Sequence, residues 1–141
     1  MPWDQLFLLE RPFADPALPG RQFYCWQCLL LDGLLSAFPS RAARLDVRRI
    51  SWARPRAALI ERLGRGHQSA PVLILEKESP LPEHAKYANG LAYVDDVFAI
   101  LDLLAARHGF PAPYPSSSRH LIAHDGHQRL DVSSRRSGSF D

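Results

Sequence analysis

The chain contains two cysteines, Cys25 and Cys28, both inside the stretch "GRQFYCWQCLLLDGLL" (residues 20–35). Trp26 and Gln27 separate them. Such a pair suits three roles: a redox dithiol, half of a metal site, or two small residues in a core. From Cys25 onward the pattern is helical, with Leu31, Leu34, Leu35 and Phe38 on one face, so Cys25 stands at a helix start. Side chains three apart on a helix lie about 5–6 Å apart at Cβ, and a disulfide needs about 3.5–4.5 Å. A small adjustment of the first turn closes that gap. A thiol at a helix start faces unpaired N–H groups and the positive end of the dipole, which favour thiolate. Cys25 is therefore the candidate nucleophile, and Cys28, one turn inward, the candidate resolving thiol. A bridge across so short a loop removes little chain entropy, so a structural staple explains the pair poorly.

A zinc site would need two further ligands. His120, His124 and His127 lie near the C-terminus, and the first two have the spacing of one helix face. Their surroundings are polar and loop-like and hold no cysteine, which reads as solvated histidines. An iron–sulfur cluster would want four cysteines, and the chain has two.

The 141 residues make one ordinary domain with a tail, and 46% hydrophobic with 23% charged residues marks a globular chain. The formal charge of +2 is spread along the sequence. No basic run interleaved with aromatics suggests a nucleic-acid face. No apolar run reaches the roughly 18–20 residues of a membrane span, and Asp32 interrupts the longest. The start, "MPWDQLFLLE", lacks the cationic beginning of an export signal, so a cytoplasmic location is expected. In that compartment a close cysteine pair is more often catalytic or metal-binding than structural.

The elements that must position the pair can be read from hydrophobic period and punctuation. Residues 6–10 form a short buried strand, followed by a Pro-rich loop and the helix of residues 25–38, which Pro39 ends. A second strand covers residues 45–52. A short helix follows, with Pro55 near its start, Leu59, Ile60 and Leu63 inward, and Gly64 as cap. Residues 71–76 are a third strand. A polar loop then runs to the turn signal Asn89-Gly90, and residues 91–94 make a fourth strand. The final helix begins at Asp95 or Asp96, buries Val97, Ile100, Leu101 and Leu104, and ends at Gly109. His108 suits its negative C-terminal end. The domain is thus residues 1–112, with order β-α-β-α-β-β-α. Residues 113–141 form a Ser-, Arg- and His-rich tail that holds a small hairpin at most, around Asp125-Gly126.

With C-W-Q-C after the first strand and Pro71 before the third, the chain resembles the thioredoxin-like superfamily. The resemblance covers residues 6–109. It implies a three-layer α/β fold with a central four-stranded mixed sheet. It also implies a cis Pro71 facing the dithiol, with the Ala70 backbone free to pair with an extended thiol ligand. The blocks "DPALPGRQFYCWQC", "HQSAPVLIL" and "YVDDVFAILDLLAARHGFP" resemble an uncharacterised bacterial domain family within that superfamily, which carries a fold but no established activity. "YVDDVFAI" is also similar to the strand-to-helix junction where glutaredoxins and glutathione-transferase N-terminal domains hold glutathione. There Asp95 and Asp96 would meet the amino-acid end of glutathione, although no Ser or Thr accompanies them and Asp is in any case a good N-cap. A full transferase, with its all-helical second domain, is not expected.

Trp26 and Gln27 differ from the Pro-containing pairs of active oxidoreductases, and the loop of residues 11–24 is longer than in a minimal thioredoxin. Tyr24, Trp26, Gln27 and Trp52 are the expected lining of a partner groove. Arg21, Arg54 and Arg56 are candidates for its rim, and His67 for a proton shuttle. Two function classes follow. One is a thiol–disulfide oxidoreductase acting on a protein or small-molecule disulfide through a mixed disulfide at Cys25, with no resident cofactor and glutathione as a candidate co-substrate. The other is a non-catalytic binding module on the same fold, with glutathione as one candidate ligand.

Overall fold

The computed structural model describes residues 3–115. The tail hairpin and His120, His124 and His127 lie outside the described residues. All elements belong to one compact unit, Met1–Phe110. They are β1 (Gln5–Leu9), α1 (Trp26–Ala37), α2 (Pro39–Ala42), β2 (Asp46–Ile50), α3 (Ala57–Leu63), β3 (Val72–Leu75), β4 (Lys86–Ala88), β5 (Leu91–Val94) and α4 (Val97–His108).

The sheet has five strands in the order β2-β1-β3-β5-β4, rather than the four expected. β2 runs parallel to β1, and every other pairing is antiparallel. The additional strand, β4, lies in the segment read as polar loop. Its exposed Lys86 and Tyr87 offer no apolar alternation to find it by. Asn89 and Gly90 carry φ of 53° and 77°, the two left-handed residues of a type I′ hairpin turn. Such a turn requires a strand on each side, and Ala88 pairs with Leu91 across it. Pro39 also acts differently from expectation. It ends α1 by opening α2, where its fixed φ and missing N–H cost nothing at a first helical position.

Strand alternation sends side chains to two cores. Leu6 and Leu8 of β1, Leu73 and Leu75 of β3, and Ala92 and Val94 of β5 meet α1 and α4. Phe7, Val72, Ile74 and Tyr93 face the opposite way and meet Leu59 and Leu63 of α3. The result is a three-layer α/β/α arrangement. α1 buries Cys28, Leu31, Asp32 and Leu35, the spacing of one helical face. α4 buries Val97, Ile100, Leu101, Leu103 and Leu104. Truncating a fully buried member such as Ile100 to Ala would cost about 2–5 kcal/mol.

A buried ionic cluster closes the lower end of this frame. Asp4, 1% exposed, accepts the Glu76 N–H at 2.8 Å and both Nε and Nη2 of Arg107 at 2.8 and 3.0 Å. His108 Nε2 lies 2.7 Å from its Oδ2. One carboxylate thus ties the start of β1 to the end of β3 and the last turn of α4. Burial by itself pushes the Asp4 carboxyl up; the bonds from His108, Arg107 and the Glu76 N–H outweigh it and hold the group at about 2. Arg41 Nε and Arg44 Nη1 donate to the carbonyls of Gly109 and His108 at 2.9 and 3.2 Å, capping α4.

Asp4→Asn keeps the shape but leaves Arg107 only the more distant Glu76 carboxylate, 3.9 Å from its Nη2, as counter-charge, and is expected to cost about 3 kcal/mol of unfolding free energy. The depressed carboxyl adds stability above its ordinary pKa of 3.8, roughly 2 kcal/mol, which disappears as pH falls from about 4 towards about 2. Urea unfolding of both proteins across that range checks it. A wild type that loses no more stability than the variant on acidification would contradict the role given to Asp4.

Candidate functional site

Strand direction decides where the candidate residues gather. β1, β2 and β5 run one way and β3 the other. The ends of β1, β2 and β5 and the start of β3 therefore share one edge of the sheet. Residues 10–28, 51–56, 67–71 and 95–96 all emerge there, and every candidate site residue falls within these segments.

Cys25 is the N-cap of α1, with extended backbone (φ −83°, ψ 117°), and its Sγ accepts the Cys28 N–H at 3.3 Å. A sulfur thus occupies the position that Ser or Asp usually takes at a helix start. Cys25 is half-buried, whereas Cys28 is 1% exposed. Cys28 Sγ accepts the Leu9 N–H at 3.3 Å. That donor lies beyond the β1–β3 ladder, which ends at Phe7↔Val72, and the sulfur supplies its acceptor. Both thiols are free. Burial pushes the Cys28 thiol up to about 12; the Leu9 N–H opposes this, while Cys25 and the Asp32 carboxylate add to it.

Asp32 follows Cys28 by one turn and is itself buried. Arg11 Nη1 donates to its Oδ2 at 2.6 Å, and Arg49 reaches both carboxylate oxygens. Burial opposes ionisation of Asp32, but the bonds from Arg49 and then Arg11 prevail and hold its pKa below the ordinary value. The helix bearing the cysteines is thereby anchored to the chain after β1 and to β2. The sequence shows Asp32 only as a break in an apolar run.

Arg56 is the buried cation of this edge. Its Nε and Nη2 donate to the Trp52 carbonyl at 2.9 and 2.6 Å, and its Nη1 to the Gln68 carbonyl at 2.8 Å. Gln68 Oε1 in turn accepts the Arg56 N–H at 2.8 Å. The guanidinium so joins the loop after β2 to the loop before β3. Burial and the nearby Arg54 lower its pKa, and the charges of Cys28 and Cys25 partly offset them. A guanidinium of this kind stays charged near neutral pH, so the dithiol sits in the field of a fixed cation.

The long loop after β1 is ordered by aromatics. Phe13 and Phe23 exchange backbone hydrogen bonds at 2.9 and 2.7 Å. Phe13 also stacks on Trp52, with centroids 5.3 Å apart and planes 8° from parallel, while the Arg21 guanidinium lies 5.0 Å from the Phe23 centroid. Trp52, Phe13, Cys25 and Ala70 all pack on the core cluster that contains Cys28. Trp52 therefore packs on the same core as the dithiol, and Phe13, stacked on it, does so unforeseen. Tyr24 and Trp26 are 58% and 57% exposed and Gln27 is half-buried. The Ala70–Pro71 bond is cis and Pro71 is buried.

Asp95 and Asp96 share the edge but follow β5, two strands from β1, about 10 Å away. Asp95 pairs with Lys86 Nζ at 2.9 Å, and Asp96 caps α4 by accepting the Ala99 N–H at 2.9 Å. Both carboxylates thus have local partners. His67 instead faces Tyr93, its Nδ1 3.1 Å from the phenol oxygen. Among the described residues no group of three His, Cys, Asp or Glu side chains could hold a metal ion. None of the described helices is long and apolar enough to cross a membrane.

A family model of proteins of unknown function, DUF3088, matches residues 3–112. The chain belongs to the DUF3088 family. The match spans every element from β1 to α4, including the dithiol edge, so this geometry lies within the family's domain. No curated protein and no solved structure matches this DUF3088 member.

The two sulfurs of this DUF3088 domain should differ sharply in reactivity. A thiol held at about 12 is expected to alkylate on the order of a thousandfold more slowly than free cysteine near neutral pH. Timed iodoacetamide labelling of the reduced protein, read by peptide mass spectrometry, should modify Cys25 first. Equal labelling of both cysteines in the folded chain would contradict the geometry.

Proposed function

We propose that this chain is a thiol–disulfide oxidoreductase of thioredoxin-like architecture, with Cys25 as nucleophile and Cys28 as resolving thiol. The observation that carries the reading is the asymmetry of the pair. The accessible sulfur caps a helix start, and the buried one rests on a backbone N–H. The β2-β1-β3-β5 order, one parallel and two antiparallel pairings, and a cis-proline immediately before β3 support the fold assignment, with β4 an added edge strand.

The chemistry balances as two exchanges. Cys25 thiolate attacks a substrate disulfide, forming a mixed disulfide and releasing one substrate sulfur as thiolate. Cys28 thiolate then attacks Cys25 Sγ, closing the Cys25–Cys28 disulfide and releasing the second substrate sulfur. The substrate gains two electrons and the protein loses them, and a small dithiol reductant restores the pair. Cys28 must shed a proton for the second step. Two of the influences that hold its pKa high come from Cys25, and both vanish once Cys25 is a neutral mixed disulfide. The first exchange therefore prepares the second, and the Leu9 N–H remains to steady the new thiolate.

Arg56, Arg54 and Arg21 give the edge a cationic character suited to an anionic or peptide disulfide. The Ala70 backbone offers a main-chain pairing site for an extended partner, and exposed Tyr24 and Trp26 an apolar surface. Those same aromatics favour the second reading, a groove that binds without turnover. The engaged carboxylates of Asp95 and Asp96 argue for a partner other than one held by its ammonium group, which weakens glutathione as the natural ligand.

Reduction of a peptide disulfide with dithiothreitol as electron source separates the readings. Cys25→Ser is expected to lower the rate to the uncatalysed background. Cys28→Ser should accumulate a mixed disulfide at Cys25 that dithiothreitol releases. A wild-type rate no faster than background, together with no trapped species, would leave the binding module as the function.

A further inference from the structure

α1 is apolar on its outer face as well as on its inner one. The inner face packs Cys28, Leu31, Asp32 and Leu35 into the domain. Trp26, Leu29, Leu30, Gly33, Ser36 and Ala37 are exposed on the other side. Asp32, the only charged residue of this helix, is buried, so the outer stripe carries no charge. Trp26, Leu29 and Leu30 are 57%, 38% and 43% exposed. A helix apolar on both faces is ordinarily covered on both. Gly33 points the same way. A glycine inside a helix weakens it, yet a Cβ at this position would meet nothing within 4 Å in the chain. Nothing inside the domain requires the missing side chain, whereas the close approach of a second backbone would.

The stripe is ordered by size. Trp26, Leu29 and Leu30 fill its first half, and Gly33, Ser36 and Ala37 its second. A second α1 running antiparallel sets large against small throughout: Trp26 over Ala37, Leu30 over Gly33 and Leu29 beside Ser36. Each pairing occurs twice about a two-fold axis, so the surface is complementary to itself. Charge agrees with shape. α1 has no acidic residue in its first turn and no basic residue in its last, so its own side chains meet neither end of its dipole. An antiparallel copy brings its negative end beside the positive end of the first, and the reverse. Two such stripes bury on the order of 800 Å² in total, short of the roughly 1,200–2,000 Å² of a stable complex and suited to a reversible one.

We propose that this chain forms a two-fold symmetric dimer through the outer face of α1, the helices antiparallel and crossing at Leu30 and Gly33. The dimer does not rest on the dithiol reading: Cys25 lies about a quarter turn around the helix from the stripe, and only Trp26 is common to the two. Sedimentation equilibrium of the reduced full chain is expected to show monomer and dimer in exchange, with Kd of about 10–100 µM. Gly33→Ala should raise the unfolding temperature of the dilute monomer, because alanine favours helix. The same substitution should weaken the dimer at least about tenfold, its methyl group holding the partner's Leu30 away. Leu30→Glu, at an exposed position, should abolish the dimer by placing a carboxylate in the contact. Isotope-filtered NMR of mixed labelled and unlabelled wild type should show Leu30 methyls of one copy against the Gly33 Hα of another. A wild type that stays monomeric to about 300 µM would overturn the proposal and leave the stripe to a different partner. A dimer whose Kd is unchanged by either substitution would place the contact elsewhere and overturn it equally.

Discussion

The Leu9 N–H that donates to Cys28 Sγ is the contact on which the rest of this edge depends. β1 is an interior strand of the sheet, between β2 and β3, and must pair its backbone on both sides. On the β3 side the ladder stops at Phe7↔Val72, two residues short of Leu9. A sulfur delivered by α1 fills the gap. That requirement fixes how deeply α1 sits, and with it three neighbours on the helix. Cys28 is buried, Cys25 is left at the rim as cap, and Asp32 is driven into the protein one turn further on. Asp32 in turn obliges Arg11 and Arg49 to meet it. The site is therefore the consequence of closing a backbone account at the end of a strand.

Charge is handled alike at both ends of the domain. A buried carboxylate holds separate segments together through paired cations: Asp4 with Arg107 and His108 at one end, Asp32 with Arg11 and Arg49 at the other. Arg56 performs the complementary task with carbonyl groups, spanning the loops after β2 and before β3. A guanidinium bound only to neutral oxygens keeps its full charge for the dithiol beside it. In such surroundings a thiolate gains more than it would in water, since screening is weaker. Stability and reactivity thus draw on one device, a fixed cation placed by backbone or carboxylate partners.

Much of this arrangement is legible in the sequence. Helical spacing places Cys25 at a helix start and Leu31 and Leu35 inward, and Asp96 and Gly109 bracket α4 as their capping chemistry demands. The missing pieces share a physical cause. β4 is an exposed edge strand whose side chains carry no alternation, and only its Asn89-Gly90 turn announces it. Asp32 reads as an interruption because its partners, Arg11 and Arg49, are brought to it by tertiary contact. Phe13 and Phe23 lie in a Pro-rich segment that looks irregular, yet they close it by pairing backbone to backbone. Arg56 gives no sequence sign that it, rather than Arg54 or Arg21, is the buried member. Long-range pairing decides each of these, and local propensity is silent on it.

The central claim is that Cys25 and Cys28 form one two-electron couple. Its most direct test is equilibration of the wild-type chain across a series of dithiothreitol redox buffers, followed by acid quench and thiol counting. The two free thiols of the reduced chain should disappear together in a single two-electron transition, leaving an intramolecular disulfide between Cys25 and Cys28. Two thiols that persist in the most oxidising buffer, or a bridge that joins two chains instead of the two cysteines of one, would contradict it.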